Sequence, residues 1–384
     1  MRNRGILFWE GVALLVGTIV GAGYLVLPYS FFQAGIWQNL MWFLVFAFCV
    51  TGLHLLYAEI VLATKESHRL PGYVGLYLGR IPELVSIASF IFGVFGGLLV
   101  YLLLGSRFFQ LLLAPFDLNI PSQVLTVVFW ALASSLVIAK VNVSGKINLA
   151  ITVVTMSLFI LASAMGFLHS APQNFAMPAI KPLFFPYGLI LYALTGALAI
   201  PEIIRMLRKE DAPLKMIKSI AIVGTLIPIV VYILFSLGIM GASGLHTSQD
   251  AISGMAGALP SWLIYAVVVA AFLEIITSYF SFGLYTVETL RKDFSMKKFW
   301  AALVVVLLPI TMFGIGVDDF VKLIGVLGSV LATIDSLSIL GVYLALKIRR
   351  PDYKFQVANI PGWVIALFAV LFLIGGVLGF VYTV

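Results

Sequence analysis

Two stretches of this chain offer backbone, more than side chains, as the reacting surface. The run Gly17-Thr18-Ile19-Val20-Gly21-Ala22-Gly23-Tyr24-Leu25-Val26-Leu27-Pro28 sets glycines and a proline inside an apolar segment. Glycine weakens a helix by ~1 kcal/mol relative to alanine and an interior proline by ~3, which predicts unwinding near Gly21 to Gly23. Residues Tyr192 to Glu202 repeat the device: Thr195 and Gly196 precede Pro201, and a carboxylate follows directly. A broken helix bares N–H groups where one half starts and C=O groups where the other ends. The first set favours an anion by about 0.3–2 kcal/mol, and the second suits a cation. A zwitterion needs both. The competing reading is a small-residue packing face, because Gly17-xxx-Gly21 also fits a helix-contact motif.

For an amino-acid ligand, which the family resemblance given below implies, the amides of Gly21, Ala22 and Gly23 hold the carboxylate, and carbonyls at Leu194, Thr195 and Gly196 hold the ammonium. The Thr18 hydroxyl either joins them or bonds its own helix. Tyr101 either reaches the carboxylate or packs. Gly93, Gly96 and Gly97 of the same helix either make room for a bulky substrate or let helices approach closely. Three acids, Glu202, Glu274 and Asp335, compete as proton carriers, since intramembrane acids are functional candidates; the alternative for each is an interhelical hydrogen bond. His54 reads as a packed neutral imidazole, and Glu288 with Arg291 as a surface pair. No lysine or arginine falls in the middle of an apolar run, so a neutral substrate is favoured. Enzymatic chemistry finds no support in the pattern. The histidines His54, His68, His169 and His246 are scattered and Cys49 is alone. Gly21-Ala22-Gly23 lacks the third glycine and the βαβ unit of a dinucleotide loop. No metal or organic cofactor is implied.

The elements that must position these groups follow from composition. Of 384 residues, 62% are hydrophobic and only 10% charged, against about 25% charged in soluble domains. A ~30 Å hydrocarbon core takes ~20 apolar residues per helix. Suitable runs fall at 8–31, 39–63, 84–113, 122–139, 147–168, 185–204, 217–241, 262–289, 299–316, 320–346 and 360–383, which predicts eleven spans in an all-α polytopic membrane protein. The net charge of +7 does not point to nucleic acid, because the basic residues form short clusters between spans. With a cytoplasmic amino terminus, 20 of the 23 lysines and arginines fall in inner segments, only Lys181 and Lys322 in outer loops, and Arg107 within a span. That asymmetry predicts an outward carboxyl terminus in the cell membrane. The sequon Asn142-Val143-Ser144 falls on the inner side and is discounted.

Five spans separate the two breaks, so they run in opposite directions. Paired Gly/Pro interruptions in oppositely oriented halves point to a midplane transporter site. The string GTIVGAGYLVLPYSFFQAGIW resembles the first-helix signature of the amino acid/auxin permease and aromatic amino acid permease group, within the amino acid-polyamine-organocation superfamily. YALTGALAIPEI resembles the sixth-helix signature of that group. The resemblance implies a single LeuT-type domain over 1–384: a five-helix repeat at 8–168, its inverted copy at 185–346, and an extra helix at 360–383. It implies secondary transport of neutral amino acids, aromatic or bulky ones included, by alternating access, with lipid and substrate as partners. It also sets Thr277 and Ser278 opposite the first break, where with the freed carbonyls of Gly17 and Val20 they offer sodium about four hard oxygens. Proton-coupled relatives carry a lysine in the fifth span, where this chain has Thr155 and Met156, so sodium is favoured over the proton. The alternative is an amino-acid-sensing receptor subunit on the same fold, resembling the spore germination receptors.

Overall fold

Backbone polar groups surrounded by lipid must be satisfied within their own segment, and the long apolar runs accordingly form helices. The structure, a computed structural model, describes residues 3–66, 68–118, 120–140 and 145–383; the sequon at 142–144 lies outside them. The chain order is α1 (Arg4–Ile19), a 3-10 turn (Ala22–Val26), α2 (Leu27–Ala34), α3 (Ile36–Ala63), α4 (Leu70–Leu78), α5 (Arg80–Leu113), α6 (Ser122–Ile138), α7 (Gly145–Leu168) and the short α8 (Pro172–Phe175). There follow α9 (Phe185–Ala193), α10 (Ala199–Lys209), α11 (Met216–Ser243), α12 (Ser261–Lys292), α13 (Lys298–Gly314), α14 (Phe320–Val326), a π-helical turn (Leu327–Ala332), α15 (Thr333–Arg349) and α16 (Gly362–Thr383).

Among the described residues, seven helices are long and apolar enough to cross a membrane, and an eighth is the pair Arg4–Ile19 with Ala22–Ala34, bent by 55° at its break. The expected count of eleven is thus met only in part by length and composition. The reason is geometric. The helices at Ser122–Ile138 and Lys298–Gly314 have 17 residues each, about 26 Å at 1.5 Å per residue, short of the ~30 Å core. The run at 185–204 is divided into α9 and α10 by its own break.

The core forms where α11 packs on α1, α3 and α7 while α12 packs on α5 and α7. Close approach is extreme between α9 and the π-helical turn: a Cβ on Gly328 would lie 1.8 Å from the carbonyl oxygen of Gly188.

Each end of the bundle carries a polar clasp. On the face bearing the basic connections, fully buried Glu59 accepts hydrogen bonds from the Tyr353 hydroxyl (2.9 Å) and the amides of Gln356, Val357 and Ala358 (2.9, 2.7 and 3.1 Å). Beside it Arg350 donates to the Ala63 carbonyl (2.8 Å), so the connection after α15 is tied to the end of α3. On the opposite face Asp250 gathers the connection between α11 and α12. It accepts from Ser248, Ser253 and the amides of Ile252 and Ser253, and pairs with Arg107 of α5 at 2.9 Å. Burial by itself would raise the Asp250 carboxyl, but the hydrogen bonds from Ser253, Ser248 and Arg107 outweigh it and hold the group below the ordinary aspartate value.

Candidate functional site

The first break lies between Ile19 and Ala22. The last amide of α1 to bond back is that of Val20, to Val16 at 2.8 Å, so the carbonyls of Gly17, Thr18 and Ile19 lose their helical partners. One is recovered: the Tyr232 hydroxyl donates to the Ile19 oxygen at 3.2 Å. On the other side Gly21 is extended (φ −136°, ψ −154°), and the amides of Gly21 to Gly23 precede the first bonds of the 3-10 turn. Pro28 sits in the first turn of α2, where its missing N–H costs nothing. The second break follows the same logic. Leu194 and Thr195 close α9 with short turns, and α10 restarts from the Gly196 carbonyl, with Pro201 again in the first turn.

The two breaks pack on each other. A Cβ at Gly23 would meet the Ala193 Cα at 2.9 Å and the Tyr192 ring at 3.0 Å, and one at Gly196 would meet Ile19 at 2.4 Å. Gly23 and Gly196 are therefore small because another chain segment occupies the space. Gly21 differs, for its Cβ would have only the Tyr101 hydroxyl near it, at 3.4 Å.

From this junction a cavity of about 290 Å³ runs toward the basic face. Thr18, Gly21, Ala22, Gly23, Tyr101, Thr195 and Gly196 line it, with Gly93 and Gly97 of α5 and the rings of Tyr192 and Phe282. A Cβ on Gly93 would make only ordinary contact with Leu331 (3.8 Å), whereas Gly96 is filled by Leu327 (2.4 Å). The α5 glycines thus divide between making room and packing. Leu194 is fully buried and does not line the cavity. The Thr18 hydroxyl donates to the Leu14 carbonyl (2.8 Å) and that of Thr195 to the Tyr192 carbonyl (2.8 Å), leaving each an acceptor lone pair for the cavity.

Behind the first break is a second, much smaller pocket of about 10 Å³, bounded by Gly21, Ala22, Tyr24, Tyr101, Glu274 and Ser278. That volume holds about one water-sized body. Tyr101 of α5 and Ser278 of α12 both line this pocket, and the Thr155 hydroxyl of α7 donates to the Ile151 carbonyl at 2.9 Å. Of the residues expected to surround sodium, Ser278 is present. Gly17, Val20 and Thr277 line neither space; the Thr277 hydroxyl donates to the Glu274 carbonyl at 3.0 Å and, like Thr18 and Thr195, keeps its acceptor lone pair.

The three acids part company. Glu274 is 8% exposed at the break. Asp335 lines the large cavity toward the basic face, accepting from Ser89 at 3.0 Å. Glu202 lines neither pocket; its side chain is 53% exposed and takes both oxygens to Arg205 at 2.8 and 2.7 Å, because an i,i+3 spacing on α10 brings the guanidinium over it. His54 is buried against Thr225 at 2.8 Å. Thr225 donates its only hydroxyl proton to Ala221, so Nδ1 of His54 is the donor. Glu288 and Arg291 form the expected surface pair at 2.6 Å. The reading of residue types missed Phe282 and Tyr285. Their spacing from Ser278, i+4 and i+7 on one face of α12, was the available signal.

A family model described as the tryptophan/tyrosine permease family matches residues 5–381. "Glutamine transporter 2" of Aliivibrio fischeri (strain ATCC 700601 / ES114) is 20% identical over 351 residues, covering 89% of this chain and 90% of that one. Among solved structures, MhsT in complex with L-phenylalanine superposes with a TM-score of 0.61 at 15% identity, over 100% of this chain and 99% of that chain. An Eremococcus coleocola manganese transporter follows at 0.57 and 12%, over 100% and 87%. At such identities the superpositions establish the shared LeuT-type fold.

Proposed function

The chain belongs to the tryptophan/tyrosine permease family, and from that premise we propose that it carries neutral, bulky L-amino acids, aromatic ones first, through the junction of its two helix breaks. It is a secondary active amino-acid transporter, a permease and not an enzyme. The observation that carries the site is the mutual packing of the breaks across one cavity. The free amides of Gly21 to Gly23 and the Thr195 carbonyl, left without a helical amide where α9 ends, border the same cavity, so both charges of a zwitterion are met by backbone. The Tyr101 hydroxyl supports the carboxylate end. Gly93 leaves room in the cavity beside Gly97, against which Phe282 packs, and the ring faces of Phe282 and Tyr192 suit a flat side chain.

The finer architecture is part of the same proposal. Counting the broken pair α9/α10 and the helices at 122–138 and 298–314 restores eleven spans. These divide into inverted repeats at 8–168 and 185–346, with 360–383 outside them. The amino terminus is cytoplasmic and the carboxyl terminus outside. The cavity then opens inward.

For coupling, we place the driving cation at Glu274. An uncompensated buried carboxylate is expensive, and among the described residues no cationic side chain pairs with it. Since only Ser278 of the sodium set shares its pocket, the proton replaces sodium as the favoured ion.

The test is uptake of radiolabelled L-tryptophan, L-tyrosine and L-glutamine into proteoliposomes under an imposed proton or sodium gradient. Concentrative uptake of at least one is expected. Specific binding without any flux would favour a sensor and overturn the transport reading.

A further inference from the structure

The cavity is longer than one amino acid. Along α5 its lining runs from Tyr101 down to Ser86. Ser89 lies eight residues from Gly97, which is ~12 Å of helix. A substrate seated at the breaks does not reach that level, yet the wall there is polar and charged.

Asp335 of α15 presents a carboxylate to the cavity, held by the Ser89 hydroxyl at 3.0 Å and by no cationic side chain among the described residues. Ser86, one turn from Ser89, borders the same space; it is 1% exposed, and its buried hydroxyl has no hydrogen-bond partner. An orphaned buried hydroxyl costs ~1–3 kcal/mol, a cost a ligand would recover. Arg69, immediately before α4, lines the cavity as well. It is fixed by Asp293 at 3.1 Å and by the Thr289 hydroxyl, with its guanidinium 4.8 Å from the centre of the Tyr285 ring. Both partners bond one nitrogen of the guanidinium, and the other N–H donors of its fork remain free to turn inward. Tyr57, Arg69, Tyr285 and Asp335 all line this one cavity, so the acidic and basic walls belong to one chamber.

We propose that this chamber is a second zwitterion site, nearer the basic face than the helix breaks, in which Asp335 with Ser86 and Ser89 takes the ammonium of an amino acid and Arg69 takes its carboxylate. The inference rests on the amino-acid reading above. Its position makes it a station between the breaks and the face to which the cavity opens. Side chains here do what backbone does at the breaks, which fits a site that must release its ligand to water.

The test is equilibrium dialysis of the purified full-length protein with radiolabelled L-tryptophan up to millimolar concentration. The expected result is two molecules bound per chain. Asp335→Asn and Arg69→Gln should each leave one, with its affinity unchanged within twofold, while Gly21→Val should leave the other. Ser86→Val, which fills the chamber without altering charge, should also leave one and covers the case in which Asp335→Asn does not fold. A single bound molecule, lost in Gly21→Val and indifferent to Asp335→Asn, overturns the second site while sparing the first. Absence of binding by L-tryptophan, L-tyrosine and L-glutamine alike overturns both.

Discussion

Gly21 and Gly23 are two residues apart, yet they are glycine for different reasons, and substitution separates them. At Gly21 the backbone is in a region open to branched residues, and the nearest obstacle is a hydroxyl at 3.4 Å. Gly21→Val should therefore leave the melting temperature within about 2 °C of wild type while cutting amino-acid uptake at least ~10-fold, or ~1.4 kcal/mol. Gly23→Val drives methyl groups into Ala193 and Tyr192, and overpacking of this kind costs ~1–3 kcal/mol. It should lower the melting temperature, and fluorescence-detected thermal unfolding of both variants reads the contrast. A destabilised Gly21→Val protein with normal uptake would return that glycine to packing. Glu274→Gln keeps the shape of the small pocket and removes its charge. Exchange of labelled for unlabelled amino acid should persist, while accumulation driven by a proton gradient should vanish. Undiminished accumulation would take the coupling role away from Glu274.

At the scale of elements, the breaks show how sequence punctuation is turned into a site. Pro28 and Pro201 fall in the first turn of the half-helices they begin, so each marks a restart, and the glycines before it fill the gap. The connection between α11 and α12 adds a closure on the face away from the cavity mouth, through the Asp250 hydrogen bonds and Arg107. Because the folded carboxyl of Asp250 lies below its ordinary value, its contribution is complete above the unfolded aspartate pKa of ~3.9 and is lost as pH falls through the folded value. Asp250→Asn should thus be less stable than wild type at neutral pH, by ~1–3 kcal/mol for the weakened bonds. The difference in melting temperature should shrink below about pH 4. A gap that stays constant between pH 7 and pH 3 would show that the charge of Asp250 contributes nothing.

For the whole molecule, the cavity leads from the breaks to the face where Arg69 and Asp293 meet, and the opposite face is held shut by the Arg107–Asp250 pair. Alternating access requires the reverse arrangement at another stage of the cycle, so this pair must part when the site opens the other way. In the orientation proposed from the charge asymmetry of the loops, the open face is the cytoplasmic one. In a protein with Cys49 replaced, Lys209→Cys should react with an impermeant maleimide only from the inside. Leu245→Cys, at a 76% exposed position, should react only from the outside. Labelling of both from one side would contradict the span count.

The sequence by itself determined the solvent and the grammar of this protein. Composition set it in a bilayer, because 10% charged residues cannot cover a soluble surface of this size. Glycine and proline marked both breaks, because their effect on a helix is local and needs no neighbour. What depends on partners distant in the chain was not legible. Glu59 reads as one more acid in an apolar run, yet it binds amides almost 300 residues away. Only packing decides that Gly96 is filled by Leu327 while Gly93 has room for a methyl group, and only packing separates Glu274, at the break, from Asp335, in the chamber below it, and from Glu202, at the surface. Local propensity is written residue by residue. Which side of a helix meets water, lipid, a cavity or another helix is settled by the assembled bundle.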